Sequence, residues 1–203
     1  PPPVPPHPRP APPAVPAVTA PPSAALVKPP IEYGLVTEDL QPIDLRGALT
    51  VSQWLFESKL YPQFTSKQAV FAVIVRGKEL KIGMTTALAG FNMIEGKPSA
   101  TADMIRSLAE RDPNCEWFRY VKSDAVSATF ETKHRLHKEP TSYTYTLEEA
   151  HLAGLRSGNW QKRPRDMLTK TEGSKLARLV YPGATLGLYC PEEMGYDEER
   201  EAA

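Results

Sequence analysis

The chain reads as an α+β protein: helices packed on a small antiparallel β-sheet, a three-stranded meander plus a short hairpin. Three patterns predict this. Between residues 50 and 112 apolar residues recur at helical spacing behind candidate N-caps. Between residues 116 and 146 the period switches to two, as in half-buried strands. From Pro164 a helical pattern returns, with proline suited to a first turn, and runs to about Val180.

In order, Thr50-x-x-Gln53 has the form of a capping box opening a helix with Val51, Trp54 and Leu55 on one side, and Pro62 follows its end. Ser66 caps a second helix whose Ala69, Val70, Val73 and Ile74 share a face. A shorter helix spans about Thr85 to Phe91. Phe91–Ile94 and the residues after Gly96-Lys97 form a hairpin, with Gly96 supplying the left-handed turn. Ser99 or Thr101 caps the next helix, whose stripe is Met104, Ile105 and Leu108 and whose stop is Pro113. Strands follow at Glu116–Val121, Ala125–Thr132 and Thr141–Thr146, the first two joined by a tight Lys122-Ser123-Asp124 turn. In the second, Val126, Ala128 and Phe130 share a face; in the third, Tyr143 and Tyr145 do, more as core than as a binding platform. Thr146-x-x-Glu149 is a capping box for a helix ending at Gly154. The stripe of the last helix is imperfect and Gly173 weakens it, so its order depends on neighbours.

Fourteen of the 22 prolines lie in residues 1–30. Proline lacks a backbone donor and locks φ, so residues 1–40 are expected to be a disordered arm, a spacer more than a PxxP ligand (Pro3 to Pro6, Pro13 to Pro16). Residues 45–195 hold the core and 196–203 an acidic tail. No signal-peptide pattern and no apolar run of membrane-spanning length is visible. Cys115 and Cys190 are too isolated for a zinc site and fit a reducing cytosol, and His134 and His137 read as loop histidines. Gly90 to Pro98 fails as a phosphate loop: five residues separate its glycines, and proline follows Lys97 where a hydroxyl is needed. Glu148-Glu149 is explained by capping and Glu192-Glu193 by a solvated acidic stretch, so neither reads as a two-metal nuclease centre. No enzyme activity and no cofactor is expected.

Charge is balanced overall, 24 Lys+Arg against 24 Asp+Glu, but not locally. Arg156 to Arg178 holds seven basic residues and two acidic; Glu192 to Glu201 holds six acidic and one basic. A basic cluster neutralises phosphates whatever the global sum. Candidate backbone contacts are Lys133 and Arg135 at the end of the second strand, Lys162, Arg163 and Arg165 before the last helix, and Lys170, Lys175 and Arg178 on it. Lys97 on the hairpin is a further candidate. Trp160 is positioned either to stack on a base or to close the core.

Several blocks, in order, resemble the RecT family of phage single-strand annealing proteins, within the RecT/Red-beta superfamily. They are Phe71 to Ile94 with Gly77-Lys78-Glu79-Leu80; Ile94 to Ser99; Tyr145 to Ala150 with Ala153-Gly154-Leu155; Trp160, Lys162, Pro164-Arg165 and Met167-Leu168; and Ala177-Arg178, Tyr181-Pro182 and Leu186 to Tyr189 leading to Glu192-Glu193. The resemblance spans roughly residues 45–195. Members often carry more positive charge between the Met167-Leu168 and Ala177-Arg178 blocks, where this sequence has Thr169, Thr171, Glu172 and Gly173. Many also carry a further tail beyond the core.

The resemblance implies an ATP-independent protein of the bacterial host cytoplasm that binds single-stranded DNA and promotes pairing of complementary strands in recombination and DNA repair. It implies rings or helical filaments, an annealed duplex held in a basic groove, and a partner phage exonuclease. The alternative reading is a protein-interaction module with a proline-rich ligand arm and no DNA role.

Overall fold

The computed structural model describes residues 41–42, 44–94, 96–156 and 158–195. The proline-rich arm and the acidic tail lie outside them. Helix α1 spans Leu45–Glu57 and starts earlier than the Thr50 box suggests, because the Asp44 carboxylate accepts from the Gly47 amide at 2.7 Å. Thr50 instead donates back to the Arg46 carbonyl inside the helix, and Trp54 is turned to solvent, away from Val51. Helix α2 (Lys67–Glu79) begins where Ser66 caps the Ala69 amide, and buries Ala69, Val70, Val73 and Ile74 against α1. Helix α3 (Met84–Gly90) crosses α2 closely at Gly77.

Strands β1 (Phe91–Ile94) and β2 (Lys97–Ala100) form the hairpin, with Gly96 at φ +75°. Of the two candidate caps for helix α4 (Ala102–Glu110), Thr101 serves, accepting from the Met104 amide; Ser99 lies in β2 and donates to the Tyr189 carbonyl. Met104, Ile105 and Leu108 are buried as their spacing requires.

Strands β3 (Cys115–Ser123), β4 (Ser127–His134) and β5 (Thr141–Thr146) form an antiparallel sheet with β4 central. A register shift between Tyr120 and Lys122 prolongs β3, so the turn falls later than expected. It is built by Asp124, whose carboxylate accepts from the Val126 and Ser127 amides, both at 2.8 Å. Those bonds hold the Asp124 carboxyl below its usual range. Val126 therefore sits exposed in the turn and not on the Ala128 face. Helix α5 (Leu147–Leu152) follows a complete Thr146–Glu149 capping box. The short helix α6 (Asn159–Lys162) precedes α7 (Pro164–Val180); α8 (Pro182–Thr185) and a 3-10 turn (Pro191–Met194) close the described fold.

Two cores result. One gathers α1 to α4 and the hairpin with Ala177, Tyr181, Leu188 and Cys190. The other holds Ala128, Tyr145, Ala150, Leu155, Trp160, Met167 and Leu168. Helix α7 contributes to both and packs on β4 and β5. The weak apolar stripe of α7 has a physical reason at Gly173: the Phe130 ring fills the space beside it, 3.6 Å from where a Cβ would stand.

These two glycines separate close approach from mere smallness. Gly77→Ala sets a Cβ 2.6 Å from the Ala87 Cβ, which no rotamer relieves. It should destabilise the fold by about 1–3 kcal/mol. Gly173→Ala meets Phe130 at ordinary van der Waals distance in a helical backbone. It should stabilise by about 0.5–1 kcal/mol. Urea denaturation of the two variants checks the opposite signs.

Candidate nucleic-acid interface

The N-terminus of α7 gathers the exposed charge. Arg163 takes the N-cap position with φ −140° and ψ 55°, Pro164 fills the first turn, and Arg165 follows on the next residue. Lys162 ends α6 immediately before, so three cations project where the helix dipole is positive. Lys162, Arg163 and Arg165 are exposed. Beside them lies an open cleft of about 430 Å³ lined by Tyr120, Asn159, Arg163, Arg165 and Lys170, with Asp103 and Asp166 among its other walls. Tyr120 is half exposed (48%) and stands edge-on to Phe130 at 5.5 Å, which fixes its ring at the cleft. Sequence reading placed Tyr120 on a strand without a role. Its signal was the strand alternation itself, which pairs it with Phe130 across β3 and β4.

The remaining candidates divide. Lys170 lines the same cleft and forms an ion pair with Glu192 at 3.0 Å. Lys175 lies over the Tyr145 ring at 3.8 Å, half-buried against the second core. Lys133 donates to the carbonyls of His137 and Lys138 at 2.5 and 2.6 Å, stapling the loop that carries exposed Arg135. In that loop the His134 and His137 rings face one another at 4.6 Å. Lys97 is exposed on the hairpin, beside a different, apolar groove.

Two expected contacts are directed into the protein. Trp160 is 5% exposed, edge-on to Tyr145, and donates its indole N–H to the Glu192 carbonyl at 3.3 Å. Its faces are occupied by core, which closes the stacking option. Arg178 is clamped by Glu193 through both terminal nitrogens, donates to Ser174 and stacks on Tyr189 at 4.4 Å. Burial alone would lower the Arg178 pKa, but the hydrogen bonds and charge of Glu193 outweigh it and the guanidinium stays charged. Glu193 also accepts from Cys190, whose thiol burial pushes well above its usual range.

Glu172 stands apart. Its side chain is fully buried (0% exposed), between α7 and the sheet, facing Tyr143. Neither carboxyl oxygen closes a hydrogen bond, although the Phe130 backbone is near enough to offset part of the burial cost. No cluster of His, Cys, Asp or Glu able to hold a metal occurs among the described residues, and no described helix is long and apolar enough to cross a membrane.

An α+β domain displaying a cationic, aromatic-edged cleft at a helix N-terminus has the makings of a module that binds a polyanion. The RecT family model matches residues 103–203, from α4 onward, and the chain belongs to the RecT family. That membership implies a part in single-strand annealing during phage recombination. No curated protein matches the chain.

Burial raises the Glu172 carboxyl from 4.5 to about 8. The unfolded chain therefore releases this proton near the lower value and the folded chain near the higher. Between them the folded state holds the extra proton, so stability falls as pH rises across that window. Glu172→Gln should gain on the unsubstituted protein through the window, by roughly 3–5 kcal/mol at its upper end. Denaturant titrations from pH 4 to 9 test this; a pH-independent difference would contradict it.

Proposed function

We propose that the protein binds single-stranded DNA along the Lys162–Arg163–Arg165 face and pairs complementary strands without nucleotide hydrolysis. The observation that carries this reading is a solvent-facing cationic cluster at the start of α7 in a member of the RecT family. Annealing needs no bond-breaking chemistry. It needs phosphates neutralised, strands held extended and base edges left free to search. Lys162, Arg163, Arg165 and Lys170 serve the first need through counterion release. Tyr120, on the cleft wall, offers an exposed aromatic surface for a base, one that buried Trp160 does not. Annealing proteins of this family are generally not enzymes in the catalytic sense.

Assembly into rings or filaments, with an annealed duplex held along a shared groove, is part of the same proposal. A heterologous interface repeats one modest site per subunit, and affinity multiplies along a continuous strand. This suits a chain whose charges sum to zero. A phage exonuclease supplying single strands in the host cytoplasm completes the picture. Lys97 and Arg135 are secondary contacts in it, and Lys175 acts from over the Tyr145 ring.

Fluorescence anisotropy with a labelled oligonucleotide tests the proposal. Arg163→Ala and Arg165→Ala should each weaken binding equally for unrelated sequences and make log K less steep in log[salt] by about 0.7 per lost phosphate contact. Their folding should change by less than about 1 kcal/mol. Arg178→Ala should behave oppositely, costing roughly 3–5 kcal/mol of stability by stranding Glu193 in the interior. A salt-independent affinity, or no binding at all, would favour an interaction module over an annealing protein.

A further inference from the structure

The turn between β3 and β4 adjoins the basic cleft and departs from the usual chemistry of turns, which favours glycine, proline, asparagine, aspartate and serine. Here Tyr120, Val121 and Val126 are 48%, 48% and 66% exposed, with Lys122 and Ala125 exposed between them. Single apolar side chains scattered over a surface are ordinary. Two valines and a tyrosine around one turn are a patch. The register shift between Tyr120 and Lys122 falls on Val121, and such bulges re-aim a side chain. The tip is also held stiffly. Besides the two amide bonds that the Asp124 carboxylate accepts, the Asp124 amide donates to the Ser127 carbonyl at 2.9 Å and the Leu147 amide to the Val126 carbonyl at 2.8 Å. The Thr169 hydroxyl lies 2.8 Å from the Ser123 Oγ and 2.7 Å from the Arg165 carbonyl, which the Ser123 hydroxyl also reaches, at 3.4 Å. The apolar tip is thereby tied to the turn of α7 that carries Arg165. Arg165 and Lys122 both lie within electrostatic range of the Asp124 carboxylate, so positive charge borders the patch.

We propose that the β3–β4 turn is a fixed apolar wedge, formed by Val121 and Val126, that enters the base stack of a bound single strand while Lys122 takes a phosphate beside it. This rests on the DNA-binding reading above and names the groups that act on the bases. Apolar side chains inserted between base steps part them. In a single strand the insertion opens no base pair, so only stacking opposes it. A tip already fixed by hydrogen bonds has little further freedom to lose on binding. Arg163 and Arg165 hold the backbone in place while the wedge parts the bases, and exposed Tyr120 receives one of the parted bases on its ring. Phosphate contacts alone position a strand and leave its stack as it was. The wedge keeps the strand extended, in short stacked groups whose pairing edges stay free.

The test uses the full chain and a mixed-sequence oligonucleotide carrying 2-aminopurine at several positions, whose fluorescence stacking quenches. Anisotropy finds the protein concentration that saturates the strand. At saturation the 2-aminopurine emission should rise by at least about twofold as bases are parted. The double variant Val121→Ser, Val126→Ser should lose most of that rise and bind about three- to tenfold more weakly, with an unchanged salt slope because no phosphate contact is removed. Val121→Leu with Val126→Leu should restore the rise, which a merely structural role for the turn would not produce. Both variants replace exposed side chains, and their unfolding midpoints should match that of the unsubstituted protein. The wedge is overturned, with the DNA-binding reading left standing, if the unsubstituted protein binds without a rise, if the serine variant keeps the rise, or if the leucine variant fails to restore it. If the unsubstituted protein does not bind the oligonucleotide at all, the DNA-binding reading has failed and the wedge fails with it.

Discussion

Helix α7 is enclosed between the two cores over most of its length, and the placement of every charge near it follows from that enclosure. Thr171, Glu172, Gly173, Ser174, Leu176 and Ala177 are all buried, leaving the first turn and a few outward positions for cations. A helix so enclosed cannot be basic along its middle, because an unpaired buried charge costs several kcal/mol. Positions 171–174 offer no solvent-facing place for a cation. What remains exposed concentrates at Lys162, Arg163 and Arg165, where the helix dipole adds to it.

The Arg178–Glu193 pair is the counterpart of that enclosure at the far end of α7. Residues 174, 178, 190 and 193 form one polar network inside a surrounding of apolar side chains. Each polar atom there depends on the others, since removing one leaves its partner desolvated. The network fastens the 3-10 turn to α7, and Trp160 fastens it again through the Glu192 carbonyl. The cleft wall and the start of the acidic run are thereby held together as one structural unit.

Much of the fold was legible in local chemistry. Ser66, Thr146 with Glu149, and Pro164 mark helix starts by hydrogen bonds and φ restrictions that depend only on near neighbours, and all three mark them in the structure. Thr50 misled because Asp44 offers an equally local cap six residues earlier, and burial of Gly47 and Ala48 favours the longer helix. Val126 misled because two amide bonds to Asp124 hold it in the turn. The interface was less legible. Nothing near Arg178 in sequence reveals that Glu193, fifteen residues on, neutralises it. The choice left open for Trp160 was settled by its approach to Tyr145 and Glu192, both distant along the chain. Composition shows where cations lie; only three-dimensional approach shows which of them are already spent on carboxylates.

The central claim is that single-stranded DNA lies across the start of α7 and the adjoining edge of β3. Amide hydrogen exchange with and without a saturating poly-dT oligonucleotide locates the strand directly. Protection is expected over residues 159–170 and around Tyr120, with the β1–β2 hairpin unchanged. Protection confined to the groove beside Lys97, with residues 159–170 unaffected, would contradict the account.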